Sequence, residues 1–173
     1  MGEVETVKQA LEQAIRMEVE GRRFYLESAQ KGSHPLAQKL FQALAKEEDV
    51  HRKTAEELFL ALKAQASWPD TAVHVSTGAD LKTVFTEAIQ SGGPKASASE
   101  TDAFKVAMDM EQKSFDFYKD CEAKATFPKE EQFYQALMRE ERGHFFVLFD
   151  SLEYLQDPQG WFVKKEHHGL DGG

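Results

Sequence analysis

Two short stretches of this chain place acidic and histidine side chains at the same spacing. They are LAKEEDVH, which ends at His51, and LMREERGH, which ends at His144, 93 positions later. Residues three apart in a helix lie on one face, so Glu48 can act together with His51, and Glu141 with His144. Carboxylates and imidazoles are common ligands of divalent first-row metals. Each stretch is therefore a candidate half of a metal site.

A single Glu-x-x-His is a weak signal, because such a pair on an exposed helix face is usually solvated polar surface. The same 93-residue offset, however, also relates MEVEGRRFY to MEQKSFDFY. This second match pairs Glu18 with Glu111 and Tyr25 with Tyr118. Chance similarity between amphipathic helices does not predict one offset across two helices and a turn. The shared register indicates an internally duplicated helical hairpin.

The elements that must position these residues follow from apolar side chains at three- and four-residue steps. The pattern predicts long helices over about 5–31 and 35–66, a third that opens near Ser99–Asp102 and ends around TFP, and a fourth over about 128–156. The connection at 67–97 is long, and its segment DLKTVFTEAI predicts a short helix. Hairpin, long crossover and hairpin together predict an all-α, ferritin-like antiparallel four-helix bundle with the crossover between helices 2 and 3.

The length of 173 residues suits one domain with a proper hydrophobic core. We expect this domain to span 1–156, with hairpin repeats at about 5–66 and 98–156, followed by a short C-terminal tail at 157–173. Two aromatic residues, Trp161 and Phe162, are expected to pack the tail onto the bundle.

Four of the repeated residues are carboxylates on helix faces that otherwise carry Leu, Ala and Phe. A carboxylate buried there without a partner would cost several kcal/mol or stay protonated. Two divalent ions would neutralise four carboxylates and accept lone pairs from two imidazoles. Helical bundles that hold paired iron or manganese use one Glu from each of two helices and Glu-x-x-His from each of the other two. The predicted metal ligands, which are also the candidate catalytic residues, are Glu18, Glu48, His51, Glu111, Glu141 and His144.

Two tyrosines and two further glutamates lie beside these candidates. Tyr25 and Tyr118 follow Glu18 and Glu111 by seven residues, which places them on the same helix faces. Either could be a plain core aromatic, but a buried phenol needs an acceptor, and we expect each to donate a hydrogen bond to a ligating Glu of a neighbouring helix. A second glutamate directly precedes each Glu of the Glu-x-x-His pairs. These two residues, in contrast, are expected to point away from the site towards solvent; they are Glu47 and Glu140.

The remaining chemically active side chains are interpreted as structural. The single cysteine, Cys121, is expected to be a small packed side chain rather than a redox thiol. The other histidines are expected in loops or in the solvated tail, without an identified partner: His34, His74, His167 and His168.

Composition limits the classes of partner. The net charge of −9 argues against sequence-independent binding to nucleic acid or to an anionic membrane. No apolar run approaches the length of a membrane span, which is roughly 20 residues, and the N-terminus has no signal-peptide pattern. One cysteine excludes an internal disulfide and suits a reducing compartment. We therefore expect a cytoplasmic protein.

Glu-x6-Tyr followed by Glu-Glu-x-x-His, given twice with a long crossover between, resembles the rubrerythrin diiron domain of the ferritin-like superfamily. The resemblance covers roughly residues 5–156. It implies a non-haem diiron centre that reduces hydrogen peroxide or reacts with dioxygen in defence against oxidative stress. It also implies bridging roles for Glu48 and Glu141, terminal roles for Glu18 and Glu111, and one iron each for His51 and His144.

The chain departs from the family pattern at two points. Rubrerythrins proper carry a rubredoxin module whose four cysteines hold an iron, whereas this chain has one cysteine and no such module. We therefore expect a separate, rubredoxin-like electron-transfer protein as partner, and a homodimer as the assembly. Rubrerythrins also place a further Glu three residues after the third-helix ligand, where this chain has Ser114. Without that carboxylate, His51 is expected to keep its metal in both oxidation states.

Other functions remain open from the sequence. The same fold serves in ferroxidase or iron handling, and a metal-stabilised binding protein without turnover would carry the same ligands. Oxygenation of an organic substrate is also possible, because nothing in the sequence reports on a substrate pocket. Manganese or zinc could replace iron with this ligand set.

Overall fold

The computed structural model describes residues 3–65, 67–69, 79–91 and 95–163 of the chain. These residues form helices and connecting turns and contain no β-strand. The helices are α1 (Glu3–Lys31), α2 (Pro35–Gln65), α3 (Ala79–Ser91), α4 (Ala98–Glu122) and α5 (Pro128–Gln156), followed by a short α6 at 158–163. Three of the histidines for which the sequence identified no partner lie outside the described part of the chain: His74, His167 and His168.

The long helices pack as two antiparallel hairpins. A turn at 32–34 joins α1 to α2, and one at 123–127 joins α4 to α5. The connection between the hairpins carries α3, which packs against α2 and α5. The predicted all-α bundle with a crossover between its second and third long helices is confirmed. Within the described ranges, no helix has the length and apolar character that crossing a membrane requires.

The third long helix begins slightly earlier than the sequence predicted. We expected it to open near Ser99–Asp102, but α4 starts at Ala98 with Ser97 as its N-cap. The Ser97 hydroxyl accepts from the backbone N–H of Glu100, and the Glu100 carboxylate accepts from the backbone N–H of Ser97. This reciprocal arrangement is a capping box, which satisfies donors that a helix start leaves unpaired.

The 93-residue register also organises the hydrophobic core. Two buried clusters lie on either side of the predicted site, and residues of one correspond to residues of the other. The corresponding pairs are Leu11 with Phe104, Ala14 with Ala107, Leu44 with Leu137, Leu62 with Leu155, and Trp68 with Trp161. The last pair extends the repeat beyond the two hairpins, because one tryptophan follows α2 and the other follows α5.

Trp161 attaches α6 to the bundle. Its ring lies 5.6 Å from that of Phe85 in α3 and 5.9 Å from that of Tyr154 in α5, both nearly perpendicular. Edge-to-face contacts of this kind add to the burial of aromatic surface. Phe162, the other aromatic residue expected to pack the tail, is 46% exposed. Its ring nevertheless lies 6.2 Å from that of Tyr154, so both aromatic residues contact the bundle, and Trp161 is the more deeply buried of the two.

A single buried carboxylate joins the two hairpins at one end of the bundle. Glu100 accepts from the backbone N–H groups of Ser33 (2.7 Å) and His34 (2.6 Å) in the α1–α2 turn, besides its bond within the capping box. His34, for which the sequence showed no partner, is the N-cap of α2, because its Nδ1 accepts from the backbone N–H of Leu36 at 3.1 Å. Burial by itself raises the pKa of Glu100, but these backbone donors outweigh it and lower the pKa from 4.5 to about 2.

Replacing Glu100 with Gln should therefore destabilise the fold in a pH-dependent way. A pKa that folding lowers contributes stability above the unfolded value and loses it as pH falls through the folded value. The wild type should exceed Glu100→Gln by roughly 3 kcal/mol in free energy of unfolding at neutral pH. That difference should shrink between pH 4.5 and about 2. Urea denaturation of both proteins across this range measures it.

The exposed Asp102 on the same helix supplies the control, since its ion pair with Lys105 is at the surface. Asp102→Asn should leave stability nearly unchanged at every pH. A constant difference between wild type and Glu100→Gln from neutral pH to pH 2 would contradict the assigned role of Glu100.

Candidate metal centre

Four helices bring the six predicted ligands into one place at the middle of the bundle. Each of these side chains is at most 5% exposed. Glu18 comes from α1 and Glu111 from α4, while α2 and α5 each supply a Glu-x-x-His pair. The pairs are Glu48 with His51 and Glu141 with His144.

The donor atoms form two overlapping groups around the two imidazoles. Nδ1 of His51 lies 3.5 Å from Glu18 Oε2 and 3.4 Å from Glu141 Oε1. Nδ1 of His144 lies 3.3 Å from Glu111 Oε2 and 3.5 Å from Glu48 Oε1. Both Glu48 and Glu141 belong to each group, within which the donor atoms lie no more than 4.8 Å apart. Two carboxylates are thus shared, and each group has one histidine of its own.

The donor atoms that face the centre form no hydrogen bonds. They are Glu18 Oε2, His51 Nδ1, Glu111 Oε2, Glu141 Oε1 and His144 Nδ1. Buried polar atoms of native proteins are nearly always paired, so five unpaired atoms directed at one space need a common partner. Donors bound about 2 Å from one ion lie roughly 3 Å apart when their bonds are near a right angle. The observed separations fit metal coordination.

The ionisation of the carboxylates shows the same need for positive charge. Burial raises the pKa of Glu48, and the neighbouring charges of Glu18 and Glu111 raise it further. The pKa of Glu141 is raised by burial and by the charge of Glu111. For Glu18, burial is outweighed by the close approach of the Glu48 carboxyl and by the charge of His51, so its pKa is lowered. Protons and imidazoles alone therefore compensate the buried charge only in part.

Two tyrosines connect the hairpins across the site. The hydroxyl of Tyr25 in α1 donates to Glu111 in α4, and that of Tyr118 in α4 donates to Glu18 in α1. Each tyrosine thus holds the non-shared carboxylate of the opposite hairpin by one oxygen, which leaves the other oxygen directed at the centre. Burial, with the charge of the acceptor, raises the pKa of both phenols, so both stay protonated and can donate.

The expectation that Glu47 and Glu140 face solvent is wrong. The side chain of Glu140 is 11% exposed, and its Oε2 lies 3.1 Å from Nε2 of His51. Glu47 is buried, and it can offer a donor atom within 4.8 Å of Glu140 and His144, although its Oε2 has no hydrogen-bond partner. The position preceding a ligand lies about 100° around the helix, and here the packing of α2 against α5 closes that flank.

The contact between Glu140 and His51 determines which ring nitrogen faces the site. When Nε2–H donates to a carboxylate, the lone pair of a neutral imidazole is on Nδ1. Burial alone lowers the pKa of His51, but the charge of Glu18 and the hydrogen bond to Glu140 raise it well above its usual value. Such a carboxylate orients a ligating imidazole and increases its basicity. Sequence spacing could not reveal this, because the contact crosses from α2 to α5.

The position at which the chain departs from the family pattern adds no donor atom to this site. Ser114 is half-buried and belongs to neither group of donor atoms. Its counterpart in the 93-residue register is Gly21, which lies so near the site that an added Cβ would be 3.5 Å from Glu48 Oε2. Neither hairpin therefore supplies a carboxylate three residues after Glu18 or Glu111.

A bundle of this topology with a buried Glu/His cluster belongs to the ferritin-like class of metal-binding helical proteins. The rubrerythrin family model matches residues 9–148, which is most of the chain. The chain belongs to the rubrerythrin family, and the resemblance inferred from the sequence is confirmed. No significant match was found among curated proteins or solved structures.

Replacing Glu140 with Gln should weaken metal binding, because an amide cannot support the imidazole as a carboxylate does. Loss of such a partner typically costs about 10- to 100-fold in affinity, and titration of Fe(II) against a competing chelator measures it. Glu131→Gln, at an exposed position of the same helix, is the matched control and should bind as the wild type does. Equal affinities in all three proteins would mean that Glu140 does not act through His51.

Proposed function

We propose that the protein is a non-haem diiron oxidoreductase that reduces hydrogen peroxide with electrons from an external donor, as part of oxidative-stress defence. The observation that carries this proposal is the pair of overlapping donor groups, which share two carboxylates and contain one histidine each. Such an arrangement suits two adjacent ions better than one. Membership of the rubrerythrin family supports iron as the metal.

The proposed ligand roles follow the two groups. Glu48 and Glu141, which belong to both, would be the carboxylates shared by two ions. Glu18 and His51 would hold one ion, and Glu111 and His144 would hold the other. When bound, two iron ions supply one electron each, which together match the two electrons that reduction of peroxide to water requires.

The protein's own residues contribute positioning and the exclusion of bulk water. Tyr25 and Tyr118 each fix one oxygen of a terminal carboxylate, so these ligands are oriented before metal binds. Glu140 holds the ring of His51 by its outer nitrogen. Because all six ligands are buried, the site is matched to a small oxidant rather than a bulky substrate.

The electrons that re-reduce this site are proposed to come from another molecule. The chain contains one cysteine, whereas a rubredoxin-type iron needs four thiolates. A separate electron-transfer protein is therefore the proposed partner, acting on a homodimer. The proposed catalytic unit is the domain at 1–156, to which Trp161 attaches the following segment.

Rapid mixing of the Fe(II)-loaded protein with peroxide tests the function. We expect a fast rise in near-ultraviolet absorbance from oxidised iron, faster with peroxide than with dioxygen, and repeated turnover only when an electron-transfer protein is supplied together with NADH and its reductase. The metal-free protein is the blank. If neither oxidant causes a fast absorbance change, the proposed function is wrong and the protein binds metal without turnover.

Replacing His51 with Ala should remove one of the two proposed ions and leave the other bound. This substitution removes the only imidazole from one group of donors and leaves the other group intact, so iron content should fall from two ions per chain to about one. The stabilisation that added metal gives in thermal unfolding should fall with it. Elemental analysis and melting curves provide the measurements, with the exposed Lys46→Ala as control. Unchanged iron content in His51→Ala would contradict the ligand assignment.

A further inference from the structure

We propose that Tyr118, Tyr134 and Cys121 form a one-electron path between the metal centre and the protein surface, and that only one of the two hairpin repeats has this path. The proposal rests on the diiron function argued above. It concerns how electrons from outside reach a centre whose ligands are all buried.

The three side chains follow one another outward from the site. Tyr118 donates a hydrogen bond to the proposed ligand Glu18. Its ring stacks on that of Tyr134, with centroids 6.2 Å apart and planes at 22°. Tyr134 in turn lies in the same buried cluster as Cys121, whose thiol influences its hydroxyl electrostatically. Electron tunnelling falls steeply with distance, so contacting oxidisable groups provide a far better route than the surrounding aliphatic core.

The outer end of the path opens on the surface. Cys121 is 9% exposed. It lines a cavity of about 270 Å³ together with Phe117, Lys124, Thr126 and Glu130. An external one-electron donor at this cavity would be in contact with the thiol, whereas the metal ligands themselves are out of its reach.

The other hairpin repeat has the same ring stacking but lacks the oxidisable side chains. Tyr25 occupies the position of Tyr118 and likewise donates to a proposed ligand. Its ring stacks on Phe41, with centroids 5.8 Å apart and planes at 23°. In the 93-residue register Phe41 corresponds to Tyr134, and Ser28 corresponds to Cys121. Phenyl and hydroxymethyl groups are much harder to oxidise than phenol and thiol, so the second chain of contacts ends at Tyr25.

The hydroxyl of Tyr134 has no structural explanation. The residue is fully buried, and its oxygen forms no well-aligned hydrogen bond. Such a group destabilises a core, and Phe41 shows that a phenyl ring fills the equivalent space. Burial raises the pKa of Tyr134 and also raises the pKa of the Cys121 thiol, the latter to about 11. Both groups therefore carry the proton that must move with the electron.

Each step of the path balances electrons and protons. Tyr118 gives one electron towards the oxidised centre, and its phenolic proton passes to Glu18. Tyr134 then gives an electron to the Tyr118 radical, which recovers its proton from Glu18, and the proton of Tyr134 passes by way of the Cys121 thiol to water in the cavity. Cys121 gives its hydrogen atom to the Tyr134 radical. The net result is one electron at the centre, one proton in the cavity water and a thiyl radical at Cys121. An external one-electron donor reduces the resulting thiyl radical, which takes a proton from water.

The test identifies which residue carries the radical when no external electron donor is present. Iron-loaded wild type and Tyr134→Phe are mixed with peroxide and a nitrone spin trap, and the trapped radical is mapped by peptide mass spectrometry while iron oxidation is followed by absorbance. Wild type should give an adduct at Cys121. In Tyr134→Phe this adduct should fall to the level of the metal-free blank while iron is still oxidised. Tyr154→Phe, another buried tyrosine of α5 away from the path, should behave as the wild type does.

A gain of function in the other repeat provides a second test. The double substitution Ser28→Cys with Phe41→Tyr should create a second adduct, at position 28. A wild type with fast iron oxidation and no adduct at Cys121, or an adduct that persists in Tyr134→Phe, overturns the path and leaves the diiron function standing. If iron is not oxidised by peroxide at all, the proposed function fails and the path fails with it.

Discussion

The structure depends on one constraint: six ionisable side chains lie in a helical core with their free donor atoms directed at the same space. Burial and mutual repulsion raise the pKa values of Glu48 and Glu141, and five donor atoms at the centre have no hydrogen bond. An apolar core would be more stable in isolation. Cations bound between the carboxylates would offset this cost, so metal binding and folding should be coupled.

Neither hairpin can complete this site alone. Each contributes two carboxylates and one histidine, and each tyrosine supports a carboxylate of the opposite hairpin. The contact of Glu140 with His51 and the bonds from the α1–α2 turn to Glu100 also cross between the hairpins. The duplicated units are therefore held together by the polar groups that form and surround the site, in addition to the hydrophobic clusters on either side of it.

Much of this could be predicted from the sequence because it follows from local periodicity. Three- and seven-residue spacings fix which side chains share a helix face, and a common 93-residue offset shows that two hairpins are equivalent. Features that depend on how the helices pack could not be predicted in this way. Glu140 was expected at the surface, because its contact with His51 forms only when α5 packs beside α2. Nothing in the sequence links Glu100 to the α1–α2 turn, which contacts it only in the folded bundle. The divergence of the repeats at Phe41 and Tyr134 becomes informative only once each ring is seen to stack on a tyrosine that donates to a proposed ligand.

The central claim is that this cluster holds two iron ions between shared carboxylates. Anomalous diffraction at the iron edge from crystals of the iron-loaded protein tests it most directly. The account predicts two peaks inside the bundle, both bonded to Glu48 and Glu141, one also bonded to His51 and the other to His144. A single peak, or peaks bonded to residues outside this set, would contradict it.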